Sequence, residues 1–339
     1  YTFPIVASGA ERGWDDPGPS LSGGGTEGDP YLISTPEELY SILAQREDGY
    51  SGCYFQLTED LYLNQPEDFI RGEDGTINGV APEADAWAWD YGHGIFGGVL
   101  DGDGHTFYGL YINGASAMLG EPSAGGAFRD LHFRDVYTAA GNADAAVVRD
   151  NYGTIEGCSF EGTVLSTNSG ASLAHYNYGT IHNCTSAGRV DSQTVGGICG
   201  HNHGTVENCR NDAVIVGESY AGGIAYWNYA DGVVTGCVNT GVVSTTGGYV
   251  AGISGLNDGT ISGCGNTGDI SSVDYGNPAG ICGTAAEEDA YVVGCWNSGT
   301  VSLGGTELGD AGGICSYVRS GATLAYCYNY GPVVYGGGI

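Results

Sequence analysis

The sequence predicts an all-β fold, a right-handed parallel β-helix (β-solenoid) with about three short strands per coil. Three observations predict it: cysteines that recur every 25–32 residues, aliphatic residues at fixed offsets from those cysteines, and Gly or Asn beside them. A repeat period of this length is typical of proteins whose coils each contact only their neighbours. Gly recurs every few residues, which excludes a helical repeat.

Seven cysteines mark the same position in seven repeats, and they are Cys158, Cys184, Cys209, Cys237, Cys264, Cys295 and Cys327. Aliphatic residues stand three before and six after each cysteine, as Ile155 and Val164 do around Cys158, and a third aliphatic row begins at Val147. Gly or Asn precedes six of the seven, so a sharp corner is expected there. Parallel connections within a sheet are right-handed by strong precedent, which gives the predicted hand.

Stacking of coils turns these repeats into ladders at about 4.8 Å per step. The sequence predicts an asparagine ladder two residues after the cysteines, formed by Asn211, Asn239, Asn266, Asn297 and Asn329. The aligned cysteines are expected to be buried free thiols that act as small hydrophobes. Disulfides between coils are the alternative, because adjacent Cα atoms lie within their range although the side chains run parallel.

The sequence divides into a leader or linker (1–29), an N-terminal cap (30–93), irregular first coils (94–146) and seven repeats with the start of an eighth (147–339). In the cap, Thr35, Pro36 and Glu38 predict the N-cap, first turn and capping box of one amphipathic helix. This helix is expected to cover the open first coil. Gly336-Gly337-Gly338-Ile339 begins another unit, so the native protein is expected to continue.

Composition limits the partners. The formal net charge is −31, and the nine cations are all Arg. Such a polyanion is repelled by nucleic acid and by anionic membranes, and it attracts cations such as Ca²⁺ or basic partners. No run of 18 apolar residues exists, so no membrane insertion is predicted for this segment. Repeat insertions fall between the third aliphatic row and the cysteine, which predicts variable loops on one face.

The repeats resemble the GLUG-motif family of bacterial secreted and surface proteins. The family's run appears as Gly196-Gly197-Ile198-Cys199-Gly200-His201-Asn202-His203-Gly204-Thr205-Val206-Glu207-Asn208-Cys209, and a second copy covers residues 251–264. The similarity covers most of residues 24–339. It implies an extracellular bacterial protein, often adhesin-like or attached to another functional domain, and it transfers no catalytic residues.

Two small groups are candidate sites. Trp87, Trp89 and Tyr91 form an aromatic cluster that predicts contact with a glycan or protein, or else packing over the capped end. Asp101 and Asp103 are candidate Ca²⁺ ligands, although an ordinary turn explains the same Asp-Gly-Asp-Gly run. No other cofactor is expected.

The predicted function is an adhesin-like surface protein or structural rod that presents loops to a host or matrix glycan or protein. The sequence is therefore not expected to be an enzyme. A polysaccharide-processing β-helix enzyme is one alternative, for which the mixed-charge run Arg129 to Asp135 is the available cluster. The other alternative is an extracellular filament subunit that associates end to end.

Overall fold

The computed structural model describes residues 21–43, 50–82, 84, 86, 88–89, 94–113, 117–140, 144–304 and 309–335. Within these residues the chain is all-β and winds into a parallel β-solenoid of about nine turns, which confirms the predicted fold class. No helix in this described part is long and apolar enough to cross a bilayer.

Three parallel sheets form the sides of the solenoid. Sheet 1 contains Tyr31–Ile33, Tyr54–Leu57, Val99–Asp101, Ala127–Arg129, Thr154–Glu156, Thr180–His182, Thr205–Glu207, Val233–Thr235, Thr260–Ser262, Tyr291–Val293 and Thr323–Ala325. Sheet 3 contains Val148–Asn151, Ala174–Asn177, Cys199–Asn202, Ala225–Asn228, Ser254–Asn257, Cys282–Ala285 and Cys315–Val318.

Sheet 2 is the broadest, because many coils contribute two or three of its strands. Its strands are Leu61–Tyr62, Ala88–Trp89, Thr106–Tyr108, Tyr111–Ile112, His132–Ala140, Asp144–Ala145, Ser159–Ser166, Ser169–Ala171, Thr185–Gly196, Arg210–Asn211, Val214–Gly222, Val238–Asn239, Val243–Thr245, Tyr249–Ala251, Gly265–Asn266, Ile270–Ser272, Asn277–Ala279, Trp296–Asn297, Val301–Leu303, Tyr328–Asn329 and Val333–Tyr335.

Two short pairs lie beside these sheets. Ile95–Phe96 pairs in parallel with Glu121–Pro122. A short 3₁₀ helix, Pro66–Asp68, leads into an antiparallel hairpin of Phe69–Arg71 and Ile77–Val80. The hairpin's apolar side chains pack on Tyr137 of sheet 2, outside the solenoid interior.

The interior is a continuous column of apolar ladders. Sheet 1 residues such as Ile155, Ile181 and Val206 are in register and fully buried. All eleven cysteines are free thiols, and the ladder from Cys158 to Cys295 is buried while Cys327 is half-buried. Each ladder thiol donates weak hydrogen bonds to backbone carbonyls, as Cys184 does to Ile155 and His182. Hydrogen bonds from neighbouring thiols, followed by burial, raise the pKa of Cys184 and Cys295, whereas hydrogen bonds from its neighbours lower that of Cys209. Burial raises the pKa of Cys199, at another repeat position, to about 12.

A left-handed corner precedes every cysteine of the ladder. Gly157, Gly236, Gly263 and Gly294 have φ between 61° and 67°, and Asn183 and Asn208 take the same conformation at 57° and 52°. Tyr326 also adopts it, at φ 55°. The backbone therefore needs this conformation at each repeat, which explains why Gly and Asn predominate there.

The asparagines after the cysteines form a continuous side-chain ladder. The Nδ2 atom of each donates to the Oδ1 atom of the next at 2.7–2.8 Å, from Asn211 through Asn239, Asn266 and Asn297 to Asn329. Each Nδ2 also donates to a backbone carbonyl two residues ahead, as Asn239 does to Gly241 at 2.8 Å. The ladder thus satisfies amides that are fully buried from Asn211 to Asn297.

The predicted helix is present at Pro36–Leu43 and covers the first coil. The backbone N–H of Glu38 donates to Thr35 Oγ1, and the Glu38 carboxylate accepts from the Thr35 N–H, both at 3.2 Å. Leu39 and Ile42 are buried in the same core as Phe55 of the adjoining strand. Parallel stacking already begins at Tyr31, inside the segment that the sequence assigns to the cap.

Replacing one inner asparagine tests the ladder. We expect Asn239→Ala to lower the free energy of unfolding by about 3 kcal/mol, because Asn211 and Asn266 each lose a buried hydrogen-bond partner. Asn329→Ala at the exposed end of the ladder serves as the matched control, with an expected loss of about 1 kcal/mol. Urea unfolding followed by circular dichroism measures both, and equal losses would contradict a cooperative ladder.

Candidate functional site

The corner between sheets 3 and 1 carries both the variable turns and an aromatic surface. The longer repeats place their extra residues here, between Asn228 and Val233 and between Ala285 and Tyr291. Shorter repeats turn the same corner in two residues, as between Asn202 and Thr205. Part of the predicted loop variation therefore lies at this corner, and the rest lies between sheet 2 strands, as between Ser272 and Asn277.

Four aromatic side chains stack along this corner in consecutive coils, and we call Tyr152, Tyr178, His203 and Tyr229 the aromatic ridge. Successive ring centroids are 4.9, 5.1 and 3.9 Å apart, and the interplanar angles are 7°, 13° and 18°. Each ring follows directly after the last residue of a sheet 3 strand, so the register of the sheet brings the rings together.

A second asparagine ladder holds the ridge in register. It links the last residues of five sheet 3 strands through Nδ2-to-Oδ1 hydrogen bonds of 2.7–2.8 Å, and its members are Asn151, Asn177, Asn202, Asn228 and Asn257. All five are fully buried. The sequence prediction missed this ladder, although the recurring Asn-x-Gly run at 151–153, 177–179, 202–204 and 257–259 was a usable signal.

A second row of side chains lies in register two residues before the ridge. It consists of Asp150, Tyr176, His201 and Trp227 on neighbouring strands. Tyr176 stacks on His201 at 4.4 Å, and Trp227 stacks on Tyr229 of the ridge at 4.5 Å. The corner thus presents an aromatic surface two columns wide.

Stacking of the rings determines which atoms of the ridge a ligand can contact. Because the rings cover each other's faces, their edges and polar atoms face outward. Tyr152 and Tyr178 are 48% and 42% exposed. Burial raises the pKa of both phenols, and it raises the pKa of Tyr229 to about 12. These phenols are therefore protonated at neutral pH and can donate hydrogen bonds.

Carboxylates flank the aromatic surface. Asp231 Oδ1 lies 3.0 Å from His203 Nδ1, and Asp258 Oδ2 accepts a hydrogen bond from Trp227 Nε1 at 2.8 Å. Burial raises the pKa of Asp258, although the Trp227 bond opposes the shift. The surface therefore combines hydroxyl donors with carboxylate acceptors.

An ion cluster lies next to Tyr152 at the N-terminal end of the ridge. Arg149 Nη2 is 2.9 Å from Glu121 Oε1 and 2.6 Å from Asp150 Oδ2. Burial, followed by the charge of Asp150, raises the pKa of Glu121. One guanidinium thus holds two carboxyl groups together at the surface.

Two neutral imidazoles belong to this region: His201 in the second row of the aromatic surface, and His175 buried beneath it. His175 Nε2 is 2.9 Å from Ser169 Oγ, and His201 contacts the hydroxyl of Tyr226. Gly200 makes room for them, since a Cβ there would lie 3.0 Å from the ring of His175 and 3.4 Å from that of Tyr226. Burial lowers the pKa of His175 to about 4 and that of His201 to about 3, so both are neutral at physiological pH.

Neither serine–histidine contact in the described residues forms a complete nucleophilic site. Ser169 and His175 are both buried, so a substrate has no access to them. Ser159 Oγ lies 2.7 Å from His132 Nδ1 on the outer face of sheet 2, but the Ser159 N–H is bound to the Leu131 carbonyl. The sheet thereby uses the serine's own backbone N–H, which is one of the donors that could stabilise an oxyanion.

The mixed-charge run around His132 forms separate ion pairs. Arg134 pairs with Glu161 at 2.9 Å in the next coil, and Arg71 of the hairpin pairs with Asp135 at 2.8 Å. Thr106, His132, Arg134, Ser159 and Glu161 line a shallow depression there. The alternation of charge across coils accounts for this cluster.

Of the predicted aromatic site, Trp87 and Tyr91 lie outside the described residues. The backbone of Trp89 belongs to the strand Ala88–Trp89, which pairs in parallel with Tyr111–Ile112. Ligand contact by this cluster stays a prediction. The ridge, in contrast, is an aromatic surface that the sequence prediction missed.

Asp101 and Asp103 form a tight turn. The backbone N–H of Asp103 donates to Asp101 Oδ1 at 2.8 Å, and Asp103 Oδ2 accepts from Gln56 Nε2 at 2.9 Å. Among the described residues, no group of three or more His, Cys, Asp or Glu side chains is placed to hold a metal ion. Ca²⁺ binding at this turn stays a prediction.

No protein-family model and no curated protein sequence matches the chain. The fold is similar to that of a solved structure described as a putative immunoglobulin A1 protease from Bacteroides ovatus, with a TM-score of 0.52, 20% identity, and coverage of 92% of this chain and 86% of that one. It is also similar to a structure named IgA1 Protease, with a TM-score of 0.53 and 17% identity. That match covers 87% of this chain but 21% of the other.

These neighbours correct the expectation that the chain is not an enzyme. The expectation is contradicted because proteins with this solenoid fold carry the name of a protease. At 17–20% identity the likeness shows the fold alone. The ladders explain individual residues structurally, but a structural explanation of the coils does not decide whether the protein performs catalysis.

The buried imidazoles make stability depend on pH. His175 binds a proton near pH 6.5 when unfolded and near pH 4 when folded, so stability is full above 6.5 and is lost as the pH falls toward 4. We expect up to about 1.4 kcal/mol per pH unit from this residue. Between pH 7 and 4, urea unfolding of His175→Gln should show a free energy of unfolding that depends less steeply on pH than that of the wild type. Parallel slopes for the two proteins would rule out this role.

Proposed function

We propose that this chain is the solenoid of an extracellular bacterial protein and that the aromatic ridge binds a ligand in an adhesin-like manner. One observation carries the proposal: a two-column surface of Tyr, His and Trp, in which Tyr152 and Tyr178 are exposed, lies on an edge where the repeats vary in length. Exposed aromatics that combine an apolar ring with a polar tip are enriched at binding surfaces.

Three features support an extracellular location. The two structural neighbours are named as IgA1 proteases, and one comes from a bacterium. The repeats resemble the GLUG-motif family, whose members are secreted or surface proteins. A net charge of −31 favours solubility and repels nucleic acid. A host or matrix glycan or protein is therefore the proposed class of partner.

Variants of the ridge test this function. We expect Tyr152→Ala combined with Tyr178→Ala to weaken binding to glycan and matrix-protein arrays at least tenfold, because exposed tyrosines often dominate binding energy. Tyr291→Ala is the matched control, since Tyr291 is similarly exposed on sheet 1 at 44%. Retained binding by the double variant, with an unchanged melting temperature, would refute the proposal.

Peptide-bond cleavage is the second candidate function, favoured by the names of the two structural neighbours. Incubation with IgA1, and with IgG as the control substrate, tests it through the masses of the products. Cleavage of IgA1 that is lost in Ser159→Ala would assign the reaction to the depression around His132. Intact IgA1 after prolonged incubation would exclude cleavage of this substrate by the chain.

A further inference from the structure

The aromatic ridge repeats with the period of the solenoid. Its rings follow one another at 3.9–5.1 Å, and its four members span about 14 Å at the usual strand spacing. A ligand that lies along the ridge therefore meets an equivalent position at every coil. Such a surface suits a polymer whose own units repeat at a similar length.

The outward-facing groups of the ridge are polar. Among the described residues, neither the Tyr152 nor the Tyr178 hydroxyl has a hydrogen-bond partner, so both are free to bind a ligand. The carboxylate of Asp231 is also accessible, with its side chain 68% exposed beside His203. The ring faces between consecutive members of the ridge are covered by neighbouring rings, so recognition along the ridge uses hydroxyl, imidazole and carboxylate atoms rather than stacking.

Charge restricts the ligand further. Glu121, Asp150, Asp231 and Asp258 surround the two aromatic columns, and the whole chain carries a net charge of −31. Arg149 is engaged by two of these carboxylates. An anionic polymer would be repelled, whereas neutral hydroxyl groups can both donate to the carboxylates and accept from the phenols.

We propose that the aromatic ridge binds a linear, uncharged, β-linked polysaccharide that lies parallel to the solenoid axis and is held by the Tyr152 and Tyr178 hydroxyls. This inference rests on the proposed ligand-binding function of the ridge and names its ligand class. In an extended β-1,4-linked chain the length of one sugar is close to the rise of one coil. Successive sugars face opposite ways, so equivalent hydroxyl groups recur on one side at every second coil. An extended peptide advances about 3.3 Å per residue and loses register with the coils.

Two conservative substitutions test the mode of binding. Tyr152→Phe combined with Tyr178→Phe keeps the stacked rings and removes both hydroxyls. We expect calorimetric titration with uncharged β-1,4-linked gluco-, xylo- and manno-oligosaccharides to show about tenfold weaker binding of the best ligand. Tyr291→Phe is the control and should bind as the wild type does. Affinity should increase with chain length until the oligosaccharide spans the four coils, and it should change little with salt.

The outcomes distinguish failure of the proposed glycan ligand from failure of the ligand-binding function on which it rests. Three results would each refute binding of a glycan along the solenoid axis. They are no binding of any of these oligosaccharides, wild-type affinity in the double Phe variant, and affinity that does not depend on chain length. If a protein or polygalacturonate binds instead and the ridge alanine variants abolish that binding, the ligand class is wrong but the binding function stands. If no array ligand depends on the ridge, both proposals fail.

Discussion

The structure depends on the in-register stacking of one coil on the next. A buried asparagine amide has donors and an acceptor that must all be satisfied, and a neighbouring asparagine at the same position supplies the complementary atoms. Asn239 therefore requires Asn211 on one side and Asn266 on the other. The close approach of coils adds a steric requirement, since a Cβ at Gly241 would lie 1.9 Å from the carbonyl oxygen of Ala213. Register is thus fixed by hydrogen bonding and by space together.

This constraint explains which parts of the fold can be predicted from sequence. The cysteine ladder and the asparagines that follow it keep constant offsets, because the corner before each cysteine has one length and one left-handed residue. The first coils were harder to predict because chemically different residues occupy the same positions. Leu131 stands where the next coil has Cys158, and Asp130 takes the left-handed conformation of Gly157 with φ 47°. The coil is regular in space although its sequence is not.

The candidate site was less predictable for a related reason. Interior positions accept few residue types, so the same kind of residue recurs at a fixed offset in each repeat. Exterior positions are constrained in place more than in identity, so Tyr and His both occur in the one stack of Tyr152, Tyr178, His203 and Tyr229. Its signal was the asparagine before each ring, which the second ladder keeps fixed. Such a site becomes visible only when the register is known.

The same stacking that builds the ridge also restricts its chemistry. Rings held 3.9–5.1 Å apart cannot open their faces to a sugar, because parting them would break the register of the strands beneath. The imidazoles of His175 and His201, below and beside these rings, are neutral because burial opposes a charge, so they add no positive potential that would offset the surrounding carboxylates. A surface that is rigid, periodic, rich in hydroxyls and acidic selects for ligands by hydrogen-bond spacing. Its length is set by the number of coils that carry a ring, so a repeat protein can change the reach of such a site by substituting single residues on successive coils.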